Sequence, residues 1–220
     1  MASDITRSVP WPGRALHVVP KAVAPLPTDE ELIAAILRGD DHVASALYRK
    51  LFPMVDRALC RLFAGRDRDH DDLVQSSFEQ IVQSIAAGKY RRICSLSNWA
   101  SAVTTKVGLA ALRARCRERR VVDRTRPQDD PAVSARTARY EIDQQIDARE
   151  TIQRVHAVLA TMNSARAEIL FLHDVAGHEL TEIAGMIGAS TAAVQSRLVR
   201  GRRELFVHLA ELEHPAKDER

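Results

Sequence analysis

Apolar positions fall into helical period, lose it and regain it several times along the chain, and each change marks an element. Thr28-Asp-Glu-Glu31 precedes Leu32, Ile33, Ile36 and Leu37, a capping box ahead of one helical face, and Gly39 ends it. Val43, Leu47 and Leu51 continue the period, with Tyr48 and Phe52 adding bulk. Pro53 is expected to interrupt or kink that helix before residues 55–63 resume it. Gly65 and the polar run 66–69 mark a turn. Leu73, Val74, Phe78, Ile81, Val82 and Ile85 then form one stripe, with Asp71 and Asp72 in the first turn, where carboxylates suit the unpaired amides. Gly88 ends this helix. A loop with Lys89, Tyr90, Arg91 and Arg92 follows, and Ser97 or Asn98 is placed to cap a helix running from Trp99 through Val103, Val107 and Leu112 into the arginines of 113–120.

Residues 121–138 lack apolar periodicity and contain Pro127 and Pro131, which reads as a linker. The period returns at Tyr140, Ile142, Ile146, Ile152, Val155, Val158 and Leu159. Asn163 and Ser164 break it and cap a further helix carrying Ala167, Ile169, Leu170 and Leu172. In the stretch 176–205, Leu180, Ile183, Ala184 and Ile187 make one helical face, Gly188 stops it, and Ser190 is a suitable cap for the next helix. There Val194, Leu198 and Leu205 point inward, leaving Gln195, Ser196, Arg197, Arg200 and Arg203 outside. Helix, glycine turn and a second helix with amide, hydroxyl and guanidinium groups outside is the layout of a helix-turn-helix. An ordinary helical hairpin with a solvated basic face fits this stretch equally well.

The pattern predicts an all-α protein of two small helical domains, 28–120 and 139–213, joined by the flexible linker 121–138. The second domain is the helix-turn-helix. A proline-rich flexible tail over 1–27 and a polar tail over 214–220 flank them. Composition agrees: of 220 residues 45% are hydrophobic, 28% charged and 5% aromatic, the balance of a soluble globular chain. A net charge of +3 says little about partners, whereas arginine clusters at 113–126 and 197–203 point to an acidic one. No apolar run suits a membrane span or a leader, so the expected location is cytoplasmic. Cys60, Cys94 and Cys116 form no CxxC, which argues against a disulfide framework and a zinc site. His70, His173 and His178 read as turn or surface residues. With no phosphate loop or nucleophile elbow either, an enzyme is the least expected class, and no cofactor is expected. Trp99 reads as core before base-stacking platform. The α-helical carboxylates Asp71, Asp72 and Glu79 read as capping and solvation before a docking face.

Two regions resemble the extracytoplasmic-function group of bacterial sigma factors. ALYRKLFPMVDRAL, DHDDLVQSSFEQIV and LSNWASAVTTKVGLAALRAR carry the likeness in 40–120, and NSARAEILFLHDVAGHELTEIAGMIGASTAAVQSRLVRGRREL carries it in 162–205. The resemblance implies a specificity subunit of RNA polymerase. It would assign Asp71, Asp72, Gln75 and Glu79 to the clamp coiled coil of the polymerase large subunit. Lys89, Tyr90, Arg91, Asn98, Trp99, Lys106 and Arg113 would meet the −10 promoter element, capturing a displaced strand with one base out of the stack. Thr191, Gln195, Ser196, Arg197, Arg200 and Arg203 would enter the major groove at the −35 element. An anti-sigma protein is a further partner that the resemblance implies. The chain departs from the family pattern at Ser76, Lys106, Ala110, Glu179 and Leu180, and Gly201 sits inside the last helix at a cost of about 1 kcal/mol relative to alanine. Two other readings stay open: a helix-turn-helix regulator acting without polymerase, and a helical adaptor for acidic protein surfaces.

Overall fold

The computed structural model describes residues 27–40, 42–125 and 151–213, and every element among them is helical. The helices are α1 (Asp29–Arg38), α2 (Val43–Phe63), α3 (His70–Ala86), α4 (Leu96–Thr125), α5 (151–161), α6 (Ser164–Leu170), α7 (Leu180–Ile187) and α8 (Thr191–Glu213). A π-helical turn, Phe171–Val175, extends α6. The expected tails, except Pro27, and the expected linker beyond residue 125 lie outside the described residues, as do Tyr140, Ile142 and Ile146. Among the described residues no helix is long and apolar enough to cross a membrane.

Local chemistry sets most of the helix ends. The Thr28 hydroxyl accepts from the Glu31 amide while Glu31 Oε2 accepts from the Thr28 amide at 2.8 Å, closing the capping box. Asn163 Oδ1 accepts from the Ala165 amide at 3.1 Å, and Ser190 Oγ from the Ala193 amide at 3.2 Å. Gly188 stands at φ 67° and donates to the Ala184 carbonyl, a left-handed cap that costs glycine little.

Three expectations need correction. The helix is not interrupted at Pro53, because α2 runs through it and gives up only the one backbone donor that proline lacks. The cap ahead of Trp99 is Ser95, whose Oγ accepts from the Asn98 amide at 3.2 Å, so α4 begins before Ser97. At its far end α4 reaches Thr125 and takes in the first residues of the expected linker.

One core lies among α1, α2, α3 and the first half of α4, with Leu32, Leu51, Val55, Ile81 and Leu96 at 0–2% exposure. Full burial of such side chains stabilises by about 1.5–3 kcal/mol each. Asp29 ties this bundle at a corner: it pairs with Lys50 at 2.5 Å and accepts from the Leu96 amide at 2.8 Å. Partial burial raises its pKa, but the Lys50 and Leu96 bonds outweigh that and leave the carboxyl lowered overall. A second core holds Ile169, Phe171, Leu172, Ile183, Val194 and Leu198, and Leu62, Ala102, Leu109 and Leu112 of α2 and α4 belong to it too. The long helix α4 thus has carboxyl-terminal helices on one side and α2 and α3 on the other.

Two glycines permit close crossings. At Gly201 a Cβ would stand 3.3 Å from the Arg166 carbonyl oxygen, which gives the mid-helix glycine a packing reason. At Gly108 it would stand 2.5 Å from Leu62 Cδ2, in a core where Leu62 is 3% exposed. Gly108→Val is expected to lower the unfolding free energy by about 1–3 kcal/mol through overpacking, read by urea denaturation.

Candidate nucleic-acid interface

The α8 helix is held from behind and bare in front. Val194 and Leu198 are 0% and 4% exposed in the second core, which fixes the rotation of the helix and turns Thr191, Gln195, Ser196, Arg200 and Arg203 to solvent. Arg197 is half-buried at the margin. Arg200 folds back along its own helix, donating to Ser196 Oγ at 2.5 Å and to the Ser196 carbonyl at 3.2 Å. Arg202, by contrast, is committed to structure: its Nε donates to Asp174 Oδ2 at 2.9 Å and its Nη2 pairs with Oδ1. That pair lowers the pKa of the Asp174 carboxyl, against partial burial and with help from His173. Arg166 and Glu204 clamp α6 to α8 in the same way at 2.7 Å. Such assignments separate the cations that fix α8 from those free to reach base edges or phosphates.

The second surface is the loop after α3 with the start of α4. Gly88 lets the chain turn out of α3, and Arg92 takes left-handed backbone at φ 59°. The Tyr90 hydroxyl donates to the Cys94 carbonyl at 2.6 Å, and its ring lies 5.1 Å from the Trp99 ring. Burial pushes the Tyr90 phenol up, so it is a neutral donor at physiological pH. Lys89, Tyr90, Arg91, Trp99 and Lys106 line one cleft of about 510 Å³, whose far wall is Gly185 to Gly188 of α7. Asn98 lines the adjoining cleft. Arg113 lies two turns further along α4, away from both, half-buried and with Nη2 unpartnered. Of the two readings of Trp99, the core one describes this structure: it is 7% exposed and packs in the first core, so only its cleft edge is within reach of a base.

The third surface is the outer face of α3, where Asp71, Asp72, Gln75 and Glu79 are all exposed and Gln75 Nε2 donates to Glu79 Oε1 at 2.9 Å. Beside them Tyr48, 45% exposed, stacks on Phe52 and Phe78 at 4.9 Å each. That aromatic platform went unnoticed in the sequence, where Tyr48 and Phe78 read only as bulk on two separate stripes.

Two buried polar groups were also missed. His70 is not a turn or surface residue but 4% exposed, its Nε2 2.8 Å from Asp56 Oδ1. Asp56, Cys60 and His70 converge closely enough to offer three ligand atoms to a metal ion, yet Arg66 Nη2 already pairs with the same Asp56 oxygen at 2.7 Å. Asp56 thus ties α2 to the start of α3 through its bond with His70 and to the intervening turn through Arg66. Glu168 is 8% exposed on α6, 3.5 Å from Lys106 Nζ. Burial raises its pKa, with Lys106 and Arg197 pulling the other way. A raised carboxyl stabilises the fold below the unfolded value near 4.5, and this is lost as pH climbs through the raised value. Glu168→Gln is therefore expected to gain on the wild type in unfolding free energy as pH rises from 4.5 toward neutrality, as a pH series of thermal melts would show.

Comparison with known proteins bears on the carboxyl-terminal helices. Residues 152–205 match the family model described as "Sigma-70, region 4". The match runs from α5 into α8 and includes the whole helix-turn-helix. No curated protein matches the chain. Among solved structures, the chain is similar at 20% identity and a TM-score of 0.45 to one described as "Structure of CnrH in complex with the cytosolic domain of CnrY", covering 83% of this chain and 97% of that one.

Proposed function

We propose that this chain, which carries a sigma-70 region 4 at residues 152–205, is a sigma factor of the extracytoplasmic-function group that brings core RNA polymerase to its promoters. The observation that carries the reading is the exposed face of α8. Within a helix-turn-helix of sigma-70 type, Gln195, Ser196, Arg200 and Arg203 stand clear of the core that Val194 and Leu198 anchor. A major groove admits one such helix, and there an arginine fork pairs with guanine, a glutamine with adenine, and a serine with either. Arg200 must first leave Ser196, which exchanges one hydrogen-bonded state for another at little net cost.

The amino-terminal helices supply the other two functions in this reading. The loop 88–95 and the start of α4 meet the −10 element: Lys89 and Arg91 neutralise phosphates while Tyr90 and the edge of Trp99 offer a ring to an unstacked base. Base extrusion costs a few kcal/mol, which stacking at about 1–3 kcal/mol per base and backbone contacts offset. The α3 face with Asp71, Asp72, Gln75 and Glu79 docks on the clamp coiled coil of the polymerase large subunit, its carboxylates directed at a basic partner. The Tyr48–Phe78 platform supplies the apolar centre that such an interface needs. An anti-sigma partner belongs to the same reading on the family resemblance. All of this is binding chemistry, and no step breaks a covalent bond in the protein's own hands.

Run-off transcription tests it. Purified chain added to core polymerase should give discrete transcripts from a subset of genomic fragments, and core polymerase alone should give none from them. A chain that retards DNA without polymerase and adds no transcript would instead be a stand-alone regulator.

A further inference from the structure

Three side chains with no part in the proposed promoter contacts converge where α2 meets the start of α3. Asp56 and Cys60 stand one turn apart on α2, both half-buried, and His70 opens α3 at 4% exposure. His70 Nε2 lies 2.8 Å and Cys60 Sγ 3.9 Å from the same carboxylate oxygen, Asp56 Oδ1, and the three ligand atoms all lie within 4.8 Å of one another. Tetrahedral bonds of about 2.0–2.3 Å set donors about 3.3–3.8 Å apart, so small side-chain rotations bring this triangle onto one ion. No CxxC pair marks the set, because two ligands share a turn of α2 and the third comes from the next helix. Between them the chain bends back through two positive-φ residues, Ala64 at 57° and Gly65 at 135°.

A cationic side chain already sits on this set. Arg66 Nη2 pairs with Asp56 Oδ1 at 2.7 Å, and its guanidinium also bonds to Cys60. The Arg66 side chain is 60% exposed, so it leaves for water at little cost, as exposed ion pairs contribute little. The neighbouring carboxylates Asp67 and Asp69 are taken by Arg115. We propose that Asp56, Cys60 and His70 form a binding site for a zinc ion, with Arg66 as the side chain that the ion displaces. Thiolate, imidazole and carboxylate together suit zinc, whereas magnesium and calcium take oxygen ligands throughout. Binding sends the Cys60 thiol proton to the buffer and leaves two anionic ligands and a neutral imidazole round a dication, a set without net charge. Three protein ligands leave one tetrahedral position to water. Held there, the ion staples α2 to the first turn of α3, which carries Asp71 and Asp72, whatever α8 recognises.

Cobalt(II) is the probe, because it enters zinc sites and reports thiolate ligation in its spectrum. Full-length untagged chain, stripped with chelator and kept reduced, should gain a thiolate-to-cobalt charge-transfer band and the visible bands of four-coordinate cobalt, saturating at one equivalent. Zinc should abolish both by displacement and raise the melting temperature by about 5–10 °C at a hundredfold excess over Kd. Magnesium should do neither. Cys60→Ser, nearly isosteric, should lose the charge-transfer band and bind zinc at least about tenfold more weakly, while Cys94→Ser and Cys116→Ser keep the band. Arg66→Ala, an exposed change that keeps the fold, should bind zinc about tenfold more tightly, because Arg66 holds Asp56 in most of the unbound molecules. Melts without metal check that each variant is folded. A wild-type chain without the charge-transfer band, a band that survives Cys60→Ser, or a zinc affinity that Arg66→Ala does not raise overturns the site and leaves the sigma-factor reading standing.

Discussion

Charge reversal on the α3 face, Asp72→Arg combined with Gln75→Ala, is expected to weaken binding to core polymerase by about 2–5 kcal/mol, because a like charge is set against a basic partner. Both side chains are exposed, and neither carries core packing. The main cost to the fold is the carboxylate lost from the first turn of α3 and the cation put in its place, so stability should fall by no more than about 1–2 kcal/mol. Gln75 bonds only to Glu79 among the described residues, so its loss frees a carboxylate already in water. Affinity measured by pull-down or fluorescence anisotropy decides, with a thermal melt as the control. Unchanged affinity in a folded variant would remove α3 from the polymerase interface.

The second large effect is expected on α8. Arg200→Ala should lower affinity for the −35 element by about 1–3 kcal/mol if the guanidinium forks onto a base. Arg200→Lys should recover little, since an ammonium is a point charge without the planar fork. A phosphate contact would behave differently: the loss would be similar on every sequence, and lysine would recover most of it. Competition binding with specific and scrambled −35 duplexes separates the two. Arg202→Ala makes the contrast, because its target is Asp174; it should loosen the tie between α8 and the turn before α7 without altering sequence preference.

Features with local causes were legible in the sequence. The Thr28–Glu31 box, the caps at Asn163 and Ser190 and the left-handed Gly188 each depend on residues at most a few positions apart, and each stands where the pattern places it. The inward and outward faces of α8 followed from period alone, since Val194 and Leu198 leave only one rotation of the helix. What was not legible depends on partners far along the chain. His70 is drawn inside by Asp56 from another helix, and a polar run in the sequence gives no sign of that pairing. Glu168 is buried because α6 lies against α4 and Lys106 is near, although a glutamate among apolar residues reads as a surface position. Nothing in the stretch around Gly108 signals that α2 crosses α4 there at Leu62. The cap at Ser95 was misplaced because Ser95, Ser97 and Asn98 are all competent, and tertiary packing of Leu96 decides among them. The −10 candidates came from the family resemblance, and the wall that Lys89, Tyr90, Arg91, Trp99 and Lys106 share with α7 is a property of packing that no stretch of sequence displays.

The two-part grip on one promoter is tested most directly by footprinting a transcribed fragment with reconstituted holoenzyme, using wild-type chain and Arg200→Ala. The predicted result is two protected patches with the wild type, the upstream one lost and the downstream one retained in the variant. A single patch, or the same protection from the chain without polymerase, would contradict the account.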